Sequence, residues 1–464
     1  MKLNYKFKIV IRGEFMHKRL YSKINKLNGI QIVILGIIAI NIIGAIILTL
    51  PVSSKSGEGT NFLDALFTSA SAVCVNGLVI NDTGTHWSMF GQIVLIILSE
   101  IGGLGIMSFT IFIAILLGKK ITLKDRLTLQ NSMNTFSIQG LVKMIKYIMY
   151  VAFSVQFFGI LLLSTQFVPE FGIKKGMFYS LFHSVSAFCN VGMDLFGDFK
   201  SLTEYYSNPV IIITISILVI IGGLGFTVLI ELYNYREIKN ISVHTKMVLF
   251  ISTILIILGA LFIFILEYNN PKTLGDMSIF DKILNSIFAS ITPRTAGFNT
   301  ISTEGMTKAG KIVTIMLMFI GGSPGSTAGG LKTSTFGIIV FTIISVIRGR
   351  DDTEAFGRRF SKEVVYKSFS LLIIGIMLVI AATMLLSITE YDETFISILY
   401  EATSAIGTAG LSTGVTQRLS GIGKVIIIVM LYIGRIGPFT LAFALTNNKK
   451  KTGIRYPEGR ILIG

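Results

Sequence analysis

Eight apolar runs, each at least the roughly 20 residues that a helix needs to cross a hydrocarbon core about 30 Å thick, leave this chain few ways to fold. They lie near 30–50, 90–117, 145–167, 209–230, 247–266, 311–346, 365–388 and 421–445. A soluble protein carries about 25% charged residues. Here 14% of the 464 residues are charged and 52% are hydrophobic, with a mean hydropathy of +0.73, so an all-α polytopic membrane protein is expected.

Charge orients the spans. The first run follows about thirty residues rich in Lys and Arg without a small-residue cleavage site, which argues against a signal peptide and for a cytoplasmic N-terminus. Basic clusters recur at 118–126, 235–240, 348–359 and in the C-terminal tail, whereas the alternate loops hold Asp82, Asp194, Asp198, Glu204, Asp276, Glu390, Asp392 and Glu393. Eight spans with both termini cytoplasmic satisfy the positive-inside rule. The net charge of +16 is then explained by topology and attraction to anionic lipids, with no nucleic-acid partner invoked. Two cysteines and four scattered histidines offer neither a disulfide framework nor a metal cluster, and no bound organic cofactor is expected.

An internal repeat organises the spans. The stretches "LFTSASAVCVNGL", "LFHSVSAFCNVGM", "IFASITPRTAGFN" and "LYEATSAIGTAGL" each place a short amphipathic piece before a glycine, Gly77, Gly192, Gly297 and Gly410, at separations of 115, 105 and 113 residues. A second signature follows each one: "IGGLG" at 101–105, "IGGLG" at 221–225, "IGGSPG" at 320–325 and "IGRIG" at 433–437. Each unit reads as helix, re-entrant helix, glycine turn, helix. A helix of about ten residues does not cross a bilayer, and irregular backbone at membrane depth requires a water-lined cavity or surrounding protein. Four such units around one axis make a pore. Their short helices would aim negative dipole ends inward, favouring a cation, and the glycines would let carbonyl oxygens replace its hydration shell. Glycines that only permit close helix packing are the simpler alternative, but packing does not require a repeated re-entrant segment.

The sixth run is interrupted by "GGSPGSTAGGLKTST". A phosphate-binding P-loop needs G-x-x-x-x-G-K-[ST] after a buried strand. Leu331 stands where that lysine belongs, with Lys332 one place late, and no α/β unit precedes it. A continuous helix over 311–347 would be about 55 Å long, so a break is expected. Pro324 and the small residues around it favour one.

These four units, together with "TPRTAGFNT", the interrupted sixth run, "IGRIGP" and the tail "RYPEGRILIG", resemble the Trk/Ktr/HKT superfamily of potassium transporters. The likeness runs from about residue 30 onward and is greatest to KtrB-type membrane subunits, since TrkH-type relatives carry an additional N-terminal hairpin. It implies potassium uptake across the cell membrane through a gated, channel-like pore, with a less selective K+/Na+ transporter or an ion-coupled symporter as the alternative. It further implies a homodimer with one pore per subunit, a cytoplasmic KtrA-like ring binding ATP or ADP, K+ as the transported ion and Na+ as a further candidate. A potassium-binding filter is implied at Val75, Asn76 and Gly77; Asn190, Val191 and Gly192; Thr295, Ala296 and Gly297; and Thr408, Ala409 and Gly410. Only one glycine per loop is shared, against two in potassium channels, which makes a looser filter plausible. The interrupted helix is expected to form a gate under the filter at Gly321, Gly322, Ser323, Pro324, Gly325, Ser326, Thr327, Ala328, Gly329, Gly330 and Lys332, with Arg435, a passive kink for helix packing being the alternative.

The resulting division is a basic N-terminus (1–29), pore repeats at 30–117, 118–230, 231–347 and 348–446, and a tail (447–464). Arg294 is expected to point away from the ion path and pair with an acid such as Glu401, as intramembrane charges usually do. Cys74 and Cys189, three residues before their glycines, are read as small buried fillers. Glu100, immediately before the first "IGGLG", is either functional or part of a helix-positioning ion pair. Arg435 replaces a glycine of that signature and is expected to act on the pore by its charge, or else to pair with Glu100. No enzyme is expected. A primary pump would need a nucleotide-hydrolysing domain larger than inner loops of about 10–30 residues allow, and parallel repeats argue against an inverted-repeat transporter.

Overall fold

The computed structural model describes residues 29–116, 141–235 and 240–437; the basic N-terminus, the loop at 118–126, residues 236–239 and the tail lie outside the described residues. Their regular secondary structure is almost entirely helical. In chain order the helices are α1 Gly29–Thr49, α2 Phe62–Val73, α3 Met89–Leu104, α4 Ile106–Leu116, α5 Leu141–Phe171, α6 Ile173–Phe188, α7 Pro209–Leu224 and α8 Phe226–Tyr233. They continue as α9 Val243–Glu267, α10 Ile279–Ile291, α11 Lys308–Phe319 and α12 Thr333–Ile347. After a hairpin of β1 Glu354–Ala355 and β2 Arg358–Arg359 come α13 Lys362–Thr389, α14 Phe395–Gly407, α15 Val415–Arg418 and α16 Gly421–Ile436.

Four of these, α1, α5, α9 and α13, are single helices long and apolar enough to cross a membrane. The inner helices differ from the uninterrupted runs that hydropathy predicts at 90–117 and 209–230. They bend by 101° between α3 and α4 and by 100° between α7 and α8. The cause is local: Gly105 and Gly225 take φ of 84° and 93°, a region closed to most side chains. Gly437 at the end of α16 does the same with φ of 86°. Thus the last glycine of three signatures ends a helix, while the corresponding helix of the sixth run stops at Phe319 and resumes at Thr333.

The outer ends are fixed by capping. Helices α3, α7, α11 and α16 start at Ser88, Asn208, Thr307 and Ser420, whose side chains accept from amides two or three residues on. Each such cap contributes about 1 kcal/mol. Two caps are held by acids at the ends of the preceding long helices. Buried Glu267 accepts from the Thr307 amide at 2.9 Å and its hydroxyl at 2.7 Å, and Glu390 accepts from the Ser420 hydroxyl at 2.6 Å.

The short helices decide the architecture. Besides packing in its own unit, α2 touches α16, α6 touches α3, α10 touches α7 and α14 touches α11. Each short helix therefore rests against the inner helix of the preceding unit, and the contact from α2 to α16 closes the circle. Their inner halves are buried; Phe67, Phe182, Phe188 and Phe288 are at most 2% exposed. Many large apolar side chains of the long helices are exposed, among them Ile46, Phe157, Leu261 and Met384, as expected where lipid is the solvent.

Candidate functional site

Every short helix ends in a turn with the same backbone signature. Val75, Asn190, Thr295 and Thr408 have φ of 58°, 60°, 76° and 51°, and two residues later Gly77, Gly192, Gly297 and Gly410 have φ of 93°, 82°, 78° and 80°. The residue between them has negative φ in all four turns. Such alternation flips every other peptide plane and brings successive carbonyl oxygens to one side. Left-handed backbone at a non-glycine residue costs about 1–2 kcal/mol, so four coincident cases mark a shared requirement.

The turns converge. A β-carbon on Gly77 would overlap the Val191 carbonyl, one on Gly192 the Ala296 carbonyl and one on Gly410 the Asn76 carbonyl, while one on Gly297 would lie 3.3 Å from the Ala409 carbonyl oxygen. Each turn thus abuts the next in a ring. Side chains tie neighbours together behind it: the Asn76 amide donates to the Ser404 carbonyl at 3.0 Å, and the Asn190 side chain lies 3.2 Å from the Thr295 hydroxyl. All four glycines line one cavity, and Asp82 and Asp194 line it with them. Asp82 accepts from the Thr85 and Phe199 amides, each at 2.7 Å. Burial pushes the carboxyl of half-buried Asp194 up to about 7, despite the Phe196 amide that donates to it.

On the other side of the ring lies the interrupted inner helix. The segment between Phe319 and Thr333 folds back on itself, with Ile320 and Leu331 in a bridge. Ser323 N donates to the Gly223 carbonyl at 3.0 Å, Thr327 N to Gly222 at 3.2 Å, and the Thr327 hydroxyl to Phe188 at 3.3 Å. Gly329 N donates to the Thr408 hydroxyl at 3.1 Å, a direct bond between this loop and one of the four turns. Half-buried Lys332 curls back onto the Ala328 carbonyl at 2.7 Å. Arg435 donates to the Thr327 carbonyl and to the Gly102 carbonyl, bridging the loop to α3.

Arg294 finds a partner other than the one expected, and Arg435 and Glu100 do not form the pair that was the alternative for them. Arg294 donates to the Ser252 hydroxyl at 3.1 Å and carbonyl at 3.4 Å, on the long helix of its own unit. It does not pair with Glu401, whose oxygens accept from the Ser412, Thr413 and Thr416 groups of a different turn. Neither Arg435 nor Glu100 has the other as a partner. Glu100 accepts from Gln156 at 3.0 Å and from the Cys189 thiol at 3.2 Å, so Cys189 does more than fill space, while Cys74 is simply buried. Sequence reasoning passed over Gln156 and His183. The available signal was a polar side chain within an otherwise apolar helical face.

Comparison with known proteins places the chain. Residues 6–451 match the TrkH family model, described as a cation transport protein. The chain belongs to the TrkH family. It is 40% identical over 444 residues to the potassium/sodium uptake protein NtpJ of Enterococcus hirae, covering 95% of this chain and 98% of that one. It is also 40% identical over 434 residues to the Ktr system potassium uptake protein B of Bacillus subtilis, covering 94% and 96%. The crystal structure of the potassium transporter TrkH from Vibrio parahaemolyticus superposes with a TM-score of 0.70 at 18% identity, over 90% of this chain and 85% of that one. A multi-pass membrane protein of a transporter family, with no enzyme among these relatives, accounts for the apolar helices.

Proposed function

We propose that this TrkH-family chain carries potassium across the cell membrane through a gated, channel-like pore. Four units of helix, pore helix, filter turn and helix, at 30–117, 118–230, 231–347 and 348–446, surround one path, with both termini cytoplasmic. The observation that carries this reading is the ring of Gly77, Gly192, Gly297 and Gly410, each preceded two residues earlier by left-handed backbone and each abutting the next turn's carbonyl. Carbonyl dipoles crowded around one path replace the hydration shell of a monovalent cation. The filter then comprises residues 75–77, 190–192, 295–297 and 408–410. The segment 321–330, with Lys332 and Arg435, forms the gate beneath it, because it is bonded to a filter turn and its carbonyls hold the side chains of both basic residues.

The chain would be the translocating subunit, assembled as a homodimer on a cytoplasmic ring of nucleotide-binding subunits, a reading supported by a relative whose name places it in a Ktr system. Anionic lipids would meet its basic cytoplasmic side. A second reading, a less selective K+/Na+ pathway, is favoured by the relative named for both ions and by the single glycine per turn. The purified chain in proteoliposomes separates these readings. Potassium uptake that resists a tenfold excess of sodium supports the first, equal competition supports the second, and no cation flux refutes both.

A further inference from the structure

Nine residues before the four turn glycines stand Thr68, His183, Phe288 and Glu401, one on each short helix and all buried. Two of them face the backbone just outside the turns in the same way. The Leu195 amide, three residues past Gly192, donates to His183 Nε2 at 3.3 Å. The Thr413 amide, three residues past Gly410, donates to Glu401 Oε1 at 2.9 Å.

Each acceptor is itself fixed. His183 Nδ1 lies 2.7 Å from the Tyr179 carbonyl. A carbonyl only accepts and an amide N–H only donates, so Nδ1 bears the proton and Nε2 is bare. Phe196 stacks on the ring at 4.5 Å between centroids. Glu401 also receives the Ser412 and Thr416 hydroxyls, both at 2.6 Å, one on each carboxylate oxygen. At the equivalent places Thr68 turns back to its own helix, donating to the Asp64 carbonyl at 2.9 Å, and Phe288 has no polar group. The short-helix contacts run in order around the circle, so the two pinned turns belong to opposite units.

We propose that His183 and Glu401 are positioning residues for ion selectivity, each pinning from behind the outer end of its own filter turn. Two opposite turns are thereby pinned three residues past their glycines, whereas the other two are tied closer in, the Gly77 amide to the Ser71 hydroxyl at 3.0 Å and the Thr292 hydroxyl to the Phe298 carbonyl. This inference rests on the potassium-pore reading and adds to it the residues that set how sharply potassium is preferred. Neither residue touches the ion. Both act through the backbone three residues past the filter glycine.

The test is the ratio of potassium to sodium uptake by the full chain in proteoliposomes, a readout that a purely structural role would not move. His183→Leu and Glu401→Leu remove the acceptor, and each should lower the ratio about tenfold, equivalent to about 1.4 kcal/mol of ion discrimination, with potassium still transported. His183→Gln and Glu401→Gln retain an oxygen acceptor and should stay within about twofold of the parent, as should Thr68→Val and Phe288→Leu. Where a leucine variant fails to reach the membrane, His183→Asn or Glu401→Asp, whose acceptors fall short of the amide, is read in its place with the same loss expected. An unchanged ratio in folded acceptor-less variants overturns the inference and leaves the pore intact. A parent protein that moves no cation overturns the pore reading itself.

Discussion

Replacing Arg435 by glutamine removes a charge at the point where the interrupted helix meets the proposed filter. The guanidinium donates to the carbonyl of Thr327 in the loop and to that of Gly102 in α3. Two residues beyond Thr327, Gly329 is bonded to the hydroxyl of the filter residue Thr408. An ion leaving the filter is taken to pass about 6–8 Å from that charge, the range over which a direct Coulomb barrier matters. At an effective dielectric of 20, a unit charge at that range raises a cation's energy by about 2–3 kcal/mol. Such a barrier slows passage about 30- to 100-fold. Glutamine keeps most of the volume and one donor but loses the charge. Lysine keeps the charge and loses the bidentate bridge.

The two substitutions therefore separate electrostatics from tethering. Initial rates of potassium uptake would be measured in proteoliposomes, with folded protein quantified in parallel. If charge holds the ion back, Arg435→Gln should be faster by one to two orders of magnitude and Arg435→Lys close to the parent. If the bridge holds the loop in place, the two variants should be accelerated alike. Uptake unchanged in both, with folded protein present, would refute the reasoning, because neither the charge nor the bridge would then control passage.

Gly192→Ser and Gly297→Ser should each lower potassium preference over sodium by tenfold or more, because a β-carbon meets both a positive φ and the adjacent turn; competition uptake reads this out. Deleting residues 323–329 leaves the Ile320–Leu331 bridge to join the ends, and should raise basal flux several-fold and abolish its response to ATP or ADP in the complex with the nucleotide-binding partner. Asp194, with its carboxyl pushed up to about 7, is neutral below that pH and anionic above it. Raising external pH from 6 to 8 should thus strengthen apparent potassium affinity about twofold to fivefold, the effect of a unit charge near the mouth at high dielectric. Asp194→Asn should flatten that profile.

How much of this was legible in the sequence differs from element to element. The spacing of Gly77, Gly192, Gly297 and Gly410 predicts where the turns lie, because a repeated short helix before each glycine leaves few alternatives. The break after Phe319 follows from Pro324 and a run of small residues in a segment too long for the bilayer. The bends at Gly105 and Gly225 did not follow, since a glycine that packs helices and one that takes positive φ look identical in one dimension. Partners distant in sequence were equally hidden. Arg294 takes Ser252 because that hydroxyl and carbonyl face it across its own unit, while Glu401 is already satisfied by Ser412, Thr413 and Thr416. Glu100 finds Gln156 and Cys189, which lie 56 and 89 residues away. His183 drew no attention because a lone histidine on an apolar helix is ordinary until its acceptor nitrogen is seen against the Leu195 amide.

If the four glycine turns bind a dehydrated monovalent cation between their carbonyls, crystals of the chain grown in rubidium and measured at the rubidium edge will reveal the ion there. Anomalous density enclosed by residues 75–77, 190–192, 295–297 and 408–410, and lost when sodium replaces rubidium, is the predicted result. A map with rubidium bound elsewhere in the protein and none within that ring would contradict the account.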